Sequence, residues 1–414
     1  MKPVSEDDDR IPFHRPAIGD DEVAAVCAVL RSGWLTTGAE CVAFEREFAA
    51  AVGASHAIAV SSCTAALHLA LEAAGVRPGD LVLVPTMTFA ATAEVVTYLG
   101  ATPVLVDCER DTLNLDPGHA ARLLDALGEA RRVPGVVDPR PARALVPVHY
   151  GGQMADVDWI STLARVHDIR VIEDAAHAFP AAARSIDGSW RPAGATAEQT
   201  CFSFYANKTI TTGEGGMLVT NDDAIAARAR MMSLHGLSRD AWQRFTAHGS
   251  WSYRIVAPGF KYNMTDLAAA LGRVQLRKAG RLAGRRRLLA ARYDALLGDL
   301  EELELPTERG DRRSAWHLYG IRLRLENLSI DRAAFIEELQ RAGIGTSVHW
   351  MPLHLHPYYQ ERFGFDAGDF PVASAEWQRL VSLPLYPTMS YAEQDRVADA
   401  VRSIVARAAR ARVA

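Results

Sequence analysis

The stretch Val171-Ile-Glu-Asp-Ala-Ala-His177 puts an acidic residue directly after a short apolar run. Its β-branched residues favour a buried strand, and Asp174 follows at the carboxyl end of that strand. Other apolar runs alternate with helical stretches from residue 54 onward. Such alternation is typical of a mostly parallel sheet that helices cover on both faces. We therefore predict an α/β fold with a seven-stranded sheet, whose strands span 56–60, 81–85, 103–107, 144–148, 170–173, 200–204 and 217–220.

The chain after Asp266 has a different pattern, in which longer helices and fewer strands are expected. The predicted elements there are helices over 267–297, 331–342 and from about 391, and strands over 316–325 and 345–349. This pattern is typical of an α+β unit separate from the first sheet. We predict three parts: an N-terminal arm over 1–20, a large α/β domain over 21–275 and a small C-terminal α+β domain over 276–414.

The composition excludes several classes of protein. With 23% charged residues and a formal net charge of −5, the 414-residue chain lacks the basic surface expected of a protein that binds nucleic acid or an anionic membrane. The acidic N-terminus has no apolar core of a signal peptide, and no apolar run is long enough for a membrane span. Five widely spaced cysteines without a CxxC pair are typical of free thiols in the cytoplasm, where we expect this protein.

A second motif, Cys201-Phe-Ser-Phe-Tyr-Ala-Asn-Lys208, carries a lysine just after another apolar strand. A glycine-rich turn follows, Thr211-Thr-Gly-Glu-Gly-Gly-Met217. Lysines normally extend into solvent, so a lysine at the end of a buried strand is unusual. Partial burial lowers the pKa of an amine and makes it a better nucleophile. Lys208 is therefore a candidate for bonding a carbonyl group.

A third motif, Ser61-Ser-Cys-Thr-Ala-Ala66, lies between a predicted strand and a predicted helix. Small residues at a helix N-terminus present free N–H groups to an anion such as phosphate. With Asp174 and Lys208 this makes a phosphate cup, a carboxylate for a pyridinium nitrogen and an amine for an aldehyde, which are the groups that pyridoxal 5′-phosphate (PLP) requires. Each feature alone has a plainer interpretation: Asp174 as a helix cap, the cup as an ordinary turn. Phe89 is equally compatible with stacking on the PLP ring and with a place in the core.

Many ordered motifs make the chain, from about residue 11 onward, resemble the StrS/DegT group of nucleotide-sugar aminotransferases, which are PLP enzymes of fold type I. Beside the three motifs above, they are Ser32-Gly-Trp-Leu-Thr-Thr-Gly38, Gly79-Asp-Leu-Val-Leu-Val-Pro-Thr86, Pro147-Val-His-Tyr-Gly151, His235-Gly236, Gly259-Phe-Lys-Tyr-Asn-Met-Thr-Asp266 and Met351-Pro-Leu-His354. The resemblance implies a PLP-dependent transaminase that passes through pyridoxamine 5′-phosphate (PMP), with L-glutamate as the amino donor.

The resemblance also implies roles for single residues. It makes Lys208 the Schiff-base lysine and puts Asp174 on the pyridine nitrogen. The other residues implied around the cofactor are Cys63, Thr64, Ala65, Phe89, His177 and Ser203. It implies a homodimer with shared active sites, to which the segment with Lys261 and Asn263 comes from the second subunit. The predicted substrate-binding residues are Trp34, Thr36, Tyr150, His349 and His354.

Four positions depart from the commonest pattern of the family. His177 stands where Gln is frequent, Cys63 where Gly is frequent, and Lys261 with Asn263 where Asn and Arg are usual. The variants at positions 177, 261 and 263, with the Trp316-His-Leu-Tyr319 strand, look like the branch that aminates C4 of UDP-linked 4-keto-pentoses. They favour C4 of a nucleotide-linked 4-keto-6-deoxy sugar, with dTDP-4-keto-6-deoxyglucose as the first candidate. A rim of Tyr150, Trp251, His349 and Trp350 suits a sugar ring, since flat apolar contacts and hydrogen bonds recognise such rings.

Other functions are weaker interpretations. Amination at C3, or of a free keto-cyclitol, remains an alternative. A PLP-dependent sugar dehydratase of the same fold lacks the lysine that this chain has at position 208, and a PLP-sensing regulator would need a helix-turn-helix domain and a basic surface. No metal is expected, because no Cys or carboxylate accompanies the loop histidines at metal spacing (His149, His349, His354 and His356).

Overall fold

The computed structural model describes residues 9–237 and 254–410, and a seven-stranded sheet forms the centre of its larger part. In chain order the strands are β1 (His56–Val60), β2 (Leu81–Pro85), β3 (Thr102–Val106), β4 (Ala144–Leu145), β5 (Arg170–Asp174), β6 (Ala182–Arg184), β7 (Trp190–Pro192), β8 (Gln199–Ser203), β9 (Gly216–Thr220), β10 (Leu303–Glu304), β11 (Arg312–Arg313), β12 (Tyr319–Leu323) and β13 (Leu380–Leu383). The large sheet has the order β1-β9-β8-β5-β4-β2-β3. All seven predicted strands are in it, which confirms the predicted fold class.

The helices of the described residues are α1 (Asp20–Ser32), α2 (Ala39–Val52), α3 (Cys63–Ala73), α4 (Ala91–Tyr98), α5 (Pro117–Gly128), α6 (Val157–His167), α7 (Asp223–Met232), α8 (Asp266–Leu297), α9 (Arg332–Arg341), α10 (Pro357–Phe363), α11 (Pro371–Arg379) and α12 (Tyr391–Ala408). They cover both faces of the large sheet. Successive residues of β8 show the two layers: Cys201 packs in the cluster with α3, and Phe202 packs on the other face against Phe48 of α2.

Strand direction in the large sheet is mixed at one edge. The pairs from β3 to β8 are parallel, whereas β9 runs antiparallel to both β1 and β8. The parallel register puts Asp174, the last residue of β5, beside Cys201 in the middle of β8. Because the carboxyl ends of the parallel strands meet at one edge, the loops that follow β2, β4, β5 and β8 converge there.

The C-terminal part is built on the long helix α8, whose first turn is capped by the Thr265 hydroxyl. A three-stranded sheet, in the order β10-β12-β13, packs with α9 and α12 around a core that includes Tyr319, Phe335 and Val401. The predicted domain boundary near residue 275 falls inside α8, so the two predicted domains would share one continuous helix. The three-part division stays a prediction.

One predicted strand, over 345–349, is not formed. Its backbone pairs with two different segments of the chain. The Gly345 N–H donates to the Ile11 carbonyl over 2.8 Å, and Ser347 makes an isolated bridge with Ser382. The sheet position beside β12 is occupied instead by β13, which the sequence pattern did not indicate. None of the helices within 9–237 and 254–410 is both long enough and apolar enough to span a membrane.

Candidate active site

A cavity of about 500 Å³ opens at the carboxyl ends of β2, β4, β5 and β8. In open parallel sheets, ligands bind in this position. Nine of the candidate residues named in the sequence line it: Cys63, Thr64, Phe89, Asp174, His177, Ser203, Lys208, His349 and Trp350. The fold therefore brings together residues that lie up to 287 positions apart in the chain.

Asp174 is buried, and both of its carboxylate oxygens accept hydrogen bonds. The Thr92 hydroxyl donates to Oδ2 over 2.9 Å and the backbone N–H of Ala176 donates to Oδ1 over 3.0 Å. Burial raises the pKa of this carboxyl, while these two donors and the nearby Lys208 oppose that rise. After β5 the chain continues through a turn into β6, so Asp174 does not cap a helix. An anion held in this way is suited to a cationic ring nitrogen.

Lys208 extends from the loop after β8, and its side chain is half-buried. Within the described parts of the chain, its amine makes no hydrogen bond or ion pair. Burial lowers the pKa of Lys208 to about 8, and the nearby Cys63 and Asp174 oppose the shift. About a tenth of the amine is therefore uncharged at pH 7. Of the three lysines within residues 9–237 and 254–410, it is the one that lines this cavity.

The first turn of α3 forms the anion cup. Ser62 is the N-cap, and its hydroxyl accepts the N–H of Ala65 over 3.0 Å. The N–H groups of Cys63 and Thr64 have no acceptor among the described residues and lie at the positive end of the helix dipole. Because its N–H is already bonded and its side chain is buried, Ala65 does not line the cavity, contrary to prediction.

Strand β9 passes directly against the anion cup at Gly216. A Cβ atom at this position would lie 2.4 Å from the carbonyl carbon of Ser62 and 2.6 Å from the Cys63 nitrogen, so only glycine permits the approach. Ser203, the last residue of β8, pairs with Gly216 in the sheet, and its hydroxyl accepts the N–H of Tyr205 over 3.3 Å. The glycine-rich turn after Lys208 thus allows the cup and the lysine to share one cavity.

Phe89 is 61% exposed and lines the cavity, so it is not a core residue. Its ring is available to stack on a planar ligand. Two polar atoms at the cavity are buried without a partner in the described structure, Nδ1 of His177 and Oδ1 of Asn207. Together with the anion cup, Asp174 and the Lys208 amine, these groups fit the phosphate, ring nitrogen, ring oxygen and aldehyde of PLP.

An imidazole and indole wall faces Lys208. The rings of His177 and Trp350 are stacked with centroids 5.0 Å apart, and His317 lies 4.1 Å from His177. Burial is the main cause that lowers the pKa of His177 and His317 well below the ordinary value, and it lowers the pKa of His349 to about 4. These imidazoles are therefore uncharged hydrogen-bonding groups at neutral pH. His317 was not among the predicted site residues.

Two predicted substrate residues lie behind this wall. The Tyr150 hydroxyl donates to the backbone carbonyl of His349, and its ring packs edge-on against Trp350, so it supports the wall without lining the cavity. His354 is fully buried and hydrogen-bonded on both nitrogens, to Thr86 over 2.7 Å and to Ser374 over 2.8 Å. This arrangement contradicts a substrate-binding role for His354. The predicted rim residue Trp251 lies outside the described residues.

The remaining predicted residues form a separate surface cluster: Trp34, Thr36, Lys261 and Asn263. The Lys261 amine donates to the Asn263 side-chain oxygen, and the Asn263 amide donates to the Thr37 hydroxyl over 2.7 Å. The indole N–H of Trp34 donates to the Thr37 carbonyl over 3.1 Å. None of the four lines the cavity of the same chain. Among the described residues, no group of three or more His, Cys, Asp or Glu could hold a metal ion.

Comparison with known proteins gives the same picture as the cavity. The sequence profile of the DegT/DnrJ/EryC1/StrS aminotransferase family matches residues 16–402. The chain belongs to this family. The spore coat polysaccharide biosynthesis protein SpsC of Bacillus subtilis is 44% identical over 95% of this chain and 97% of its own length.

Solved structures of family members match over nearly the whole chain. Spr1654 from Streptococcus pneumoniae, designated a sugar aminotransferase and solved in PLP and PMP forms, is 30% identical with a TM-score of 0.84 over 96% of this chain and 98–99% of its own. S. venezuelae DesV is 34% identical with a TM-score of 0.80 over 93% of this chain and 94% of its own. The protein is thus a PLP-dependent sugar aminotransferase of the DegT/DnrJ/EryC1/StrS family, and PLP and PMP are its cofactor forms.

Proposed function

We propose that this enzyme transfers the amino group of L-glutamate to C4 of a nucleotide-linked 4-keto-6-deoxy sugar, with dTDP-4-keto-6-deoxyglucose as the first candidate. The transfer has two half-reactions, with the PMP form between them. The observation that carries the proposal is the convergence of Lys208, Asp174 and the anion cup of Cys63 and Thr64 on one cavity. The choice of C4 rests on the variants at positions 177, 261 and 263 and their resemblance to the C4 branch.

When bound, PLP supplies an aldehyde that bonds amines and a ring that accepts electrons from the adjacent carbon. Lys208 would hold PLP through that aldehyde, and its Nζ would accept and release the proton that transamination moves at the substrate carbon. A pKa of about 8 suits this work, because the amine can both accept and release a proton near neutral pH. Asp174 holds the proton on the ring nitrogen, since a buried carboxylate with two donors favours a cationic partner.

The other cavity residues bind and orient the cofactor. The N–H groups of Cys63 and Thr64, with the Ser203 hydroxyl, bind the phosphate at the positive end of the α3 dipole. Phe89 covers the ring, and Nδ1 of His177, which has no partner among the described residues, is available to the ring oxygen. These contacts fix the cofactor so that Lys208 and the substrate meet it in one orientation.

The substrate class is supported by the wall and by the relatives. Uncharged imidazoles can donate to and accept from sugar hydroxyls, and the indole of Trp350 offers a flat apolar face to a sugar ring. SpsC carries a name from polysaccharide biosynthesis, and Spr1654 is designated a sugar aminotransferase. Amino-sugar biosynthesis is therefore the process that we assign to this enzyme. The five cysteines are all free thiols, which agrees with the cytoplasm as its compartment.

We also propose a homodimer whose subunits complete each other's cavities. Lys261 and Asn263 lie outside the cavity of their own chain, on the same surface as Trp34 and Thr36. A lysine amine at such a place can bind a phosphate of a ligand held mainly by the second copy. In this arrangement Trp34 and Thr36 also contact the substrate of the neighbouring subunit.

The test is to incubate the PLP-loaded enzyme and L-glutamate with separate 3-keto and 4-keto nucleotide sugars and to locate the new C–N bond by NMR. We expect a 2-oxoglutarate equivalent for each sugar converted, and nitrogen at C4 only. Nitrogen at C3 alone would overturn the C4 assignment and leave the aminotransferase activity intact. If neither sugar reacts and a free keto-cyclitol does, the nucleotide-linked substrate is wrong.

A further inference from the structure

Arg286 is a buried arginine that no proposed step has used. It lies in the middle of α8 with 0% exposure, and its guanidinium has no carboxylate within ion-pair distance among residues 9–237 and 254–410. Burial of a charge without a counter-ion is expensive, so arginines are rarely found in this state. A buried arginine without a counter-ion therefore indicates a role other than stabilising the fold.

Main-chain carbonyls surround the guanidinium in place of a carboxylate. Nη1 donates to the carbonyls of Trp316, His317 and Leu385 over 3.3, 3.3 and 2.8 Å, and Nη2 donates to that of Asn207 over 3.4 Å. These four carbonyls belong to three segments of the chain. They are the loop that carries Lys208, the segment before β12 that carries His317, and the turn after β13. One side chain therefore ties the loop of Lys208 to the segment that carries the opposite wall of the cavity.

We propose that Arg286 is a positioning residue, which fixes Lys208 and His317 relative to each other and supplies the Lys208 amine with a positive charge nearby that no carboxylate pairs. This inference rests on the role of Lys208 proposed above. Asn207 precedes Lys208 directly, so a shift of its carbonyl shifts the start of the lysine side chain. The same applies to His317, whose own carbonyl is bonded.

The charge of Arg286 acts on the amine together with several other groups. It lowers the pKa of Lys208 beyond the effect of burial, and it also lowers the pKa of His317 and His14. Cys63 from α3 and Asp174 from β5 act in the opposite direction on Lys208. Four imidazoles with lowered pKa also face Lys208: His14, His177, His317 and His349. Tyr205 and Glu214 line the same cavity. Because the imidazoles are uncharged at neutral pH, Arg286 is the cation of this set, and burial lowers its own pKa only to about 10.

The experiment measures the Lys208 amine directly in the full-length, cofactor-free protein. Trace acetic anhydride labels uncharged amines, and mass spectrometry gives the labelling of Lys208 against pH from 6 to 10. Lys278 lies outside the cavity and serves as the internal standard in the same digest. The variants are Arg286→Gln and Arg286→Met, which remove the charge, and Arg286→Lys, which keeps a cation. Arg287→Gln is the matched control, since Arg287 is exposed and pairs with Glu308.

We expect the labelling curve of Lys208 to move to higher pH in the two neutral variants, with roughly threefold slower labelling at pH 7. In Arg286→Lys and Arg287→Gln, the labelling rate of Lys208 at pH 7 should stay within about twofold of the rate in the parent protein, because both variants keep a cation at position 286. Thermal unfolding of each variant shows which of them fold. An unchanged Lys208 curve in a folded neutral variant would overturn the proposal, and so would a folded Arg286→Lys protein with the curve expected of the neutral variants. Because no turnover is measured, failure here is distinct from failure of the proposed reaction.

Discussion

The Thr92 hydroxyl donates a hydrogen bond to Oδ2 of Asp174 over 2.9 Å, from the first turn of α4 to the end of β5. Thr92 in turn shares a hydrogen bond of 2.8 Å with Thr88, which lines the cavity. The carboxylate is thus oriented by a side chain that does not belong to its own strand. This contact leads to the first prediction.

Thr92→Val should slow both half-reactions by roughly tenfold, the effect of losing one hydrogen bond to a charged group. Valine has nearly the shape of threonine, so the fold should survive. Thr92→Ser keeps the hydroxyl and is the matched control. Stopped-flow absorbance of the loaded enzyme follows each half-reaction. Equal rates in Thr92→Val and Thr92→Ser would mean that the hydroxyl does not orient Asp174.

Asp174→Asn should have a larger effect, at least about 100-fold on both half-reactions. The substitution is nearly isosteric but removes the only charge that holds a proton on the ring nitrogen, and a lost charge partner shifts protonation by more than one pKa unit. Circular dichroism checks the fold. Rates within a few-fold of the parent enzyme would leave Asp174 with a structural role alone.

Lys208→Met should stabilise the cofactor-free protein at pH 7 and lose this advantage as pH rises. Burial lowers the pKa of Lys208 to about 8 from 10.5, so below pH 8 the native state carries a buried charge that unfolding relieves. Between about pH 8 and 10.5 the native amine loses its proton first, and the penalty disappears. Thermal unfolding at pH 7 and pH 10 measures the difference between variant and parent.

The control for this pH series is Lys278→Met. Lys278 pairs with Glu22 over 2.8 Å, which raises the pKa of Lys278. Its loss should therefore lower stability at pH 7, opposite in sign to Lys208→Met. If Lys208→Met is instead less stable than the parent protein at pH 7, burial does not lower the pKa of the Lys208 amine.

Subunit exchange tests the shared sites. A chain with Lys208→Ala and a chain with both Lys261→Ala and Asn263→Ala should each be nearly inactive. Mixed dimers should recover up to about half of the parental activity per dimer, since one of the two cavities is then built from intact halves. Native mass spectrometry measures how many mixed dimers form. Mixed dimers without activity would contradict the sharing of residues between subunits.

The large sheet was predictable because its strands are short apolar runs that are buried on both faces. All seven strands were located, although β4 is shorter than predicted. The antiparallel direction of β9 could not be predicted from its composition. The 345–349 segment was mistaken for a strand, since its partners at Ile11 and Ser382 are set by tertiary packing. The strand predicted over 316–325 also begins too early, because Trp316 adopts a left-handed φ of 49°.

The cofactor side of the site was more predictable than the substrate side. Asp174, Lys208 and the anion cup follow strand ends, and the carboxyl edge of a parallel sheet brings such residues together. His317 was missed because Trp316-His-Leu-Tyr319 was interpreted as part of a strand and as a sign of the C4 branch, without a role for its histidine. His354 was chosen wrongly because a loop histidine gives no sign of whether hydroxyls inside the protein, here those of Thr86 and Ser374, already satisfy both nitrogens.

The most direct test of the whole account is to reduce the PLP-loaded protein with borohydride and to map the modified lysine by mass spectrometry. The sequence contains four lysines, Lys2, Lys208, Lys261 and Lys278, so the assignment is unambiguous. We expect the phosphopyridoxyl mass on Lys208 alone, in close to one equivalent per chain, and no modification in Lys208→Ala protein that still binds PLP through the cup. Modification of Lys261 or Lys278 in place of Lys208, or none at all in a yellow protein, would contradict the central claim that Lys208 bonds the cofactor.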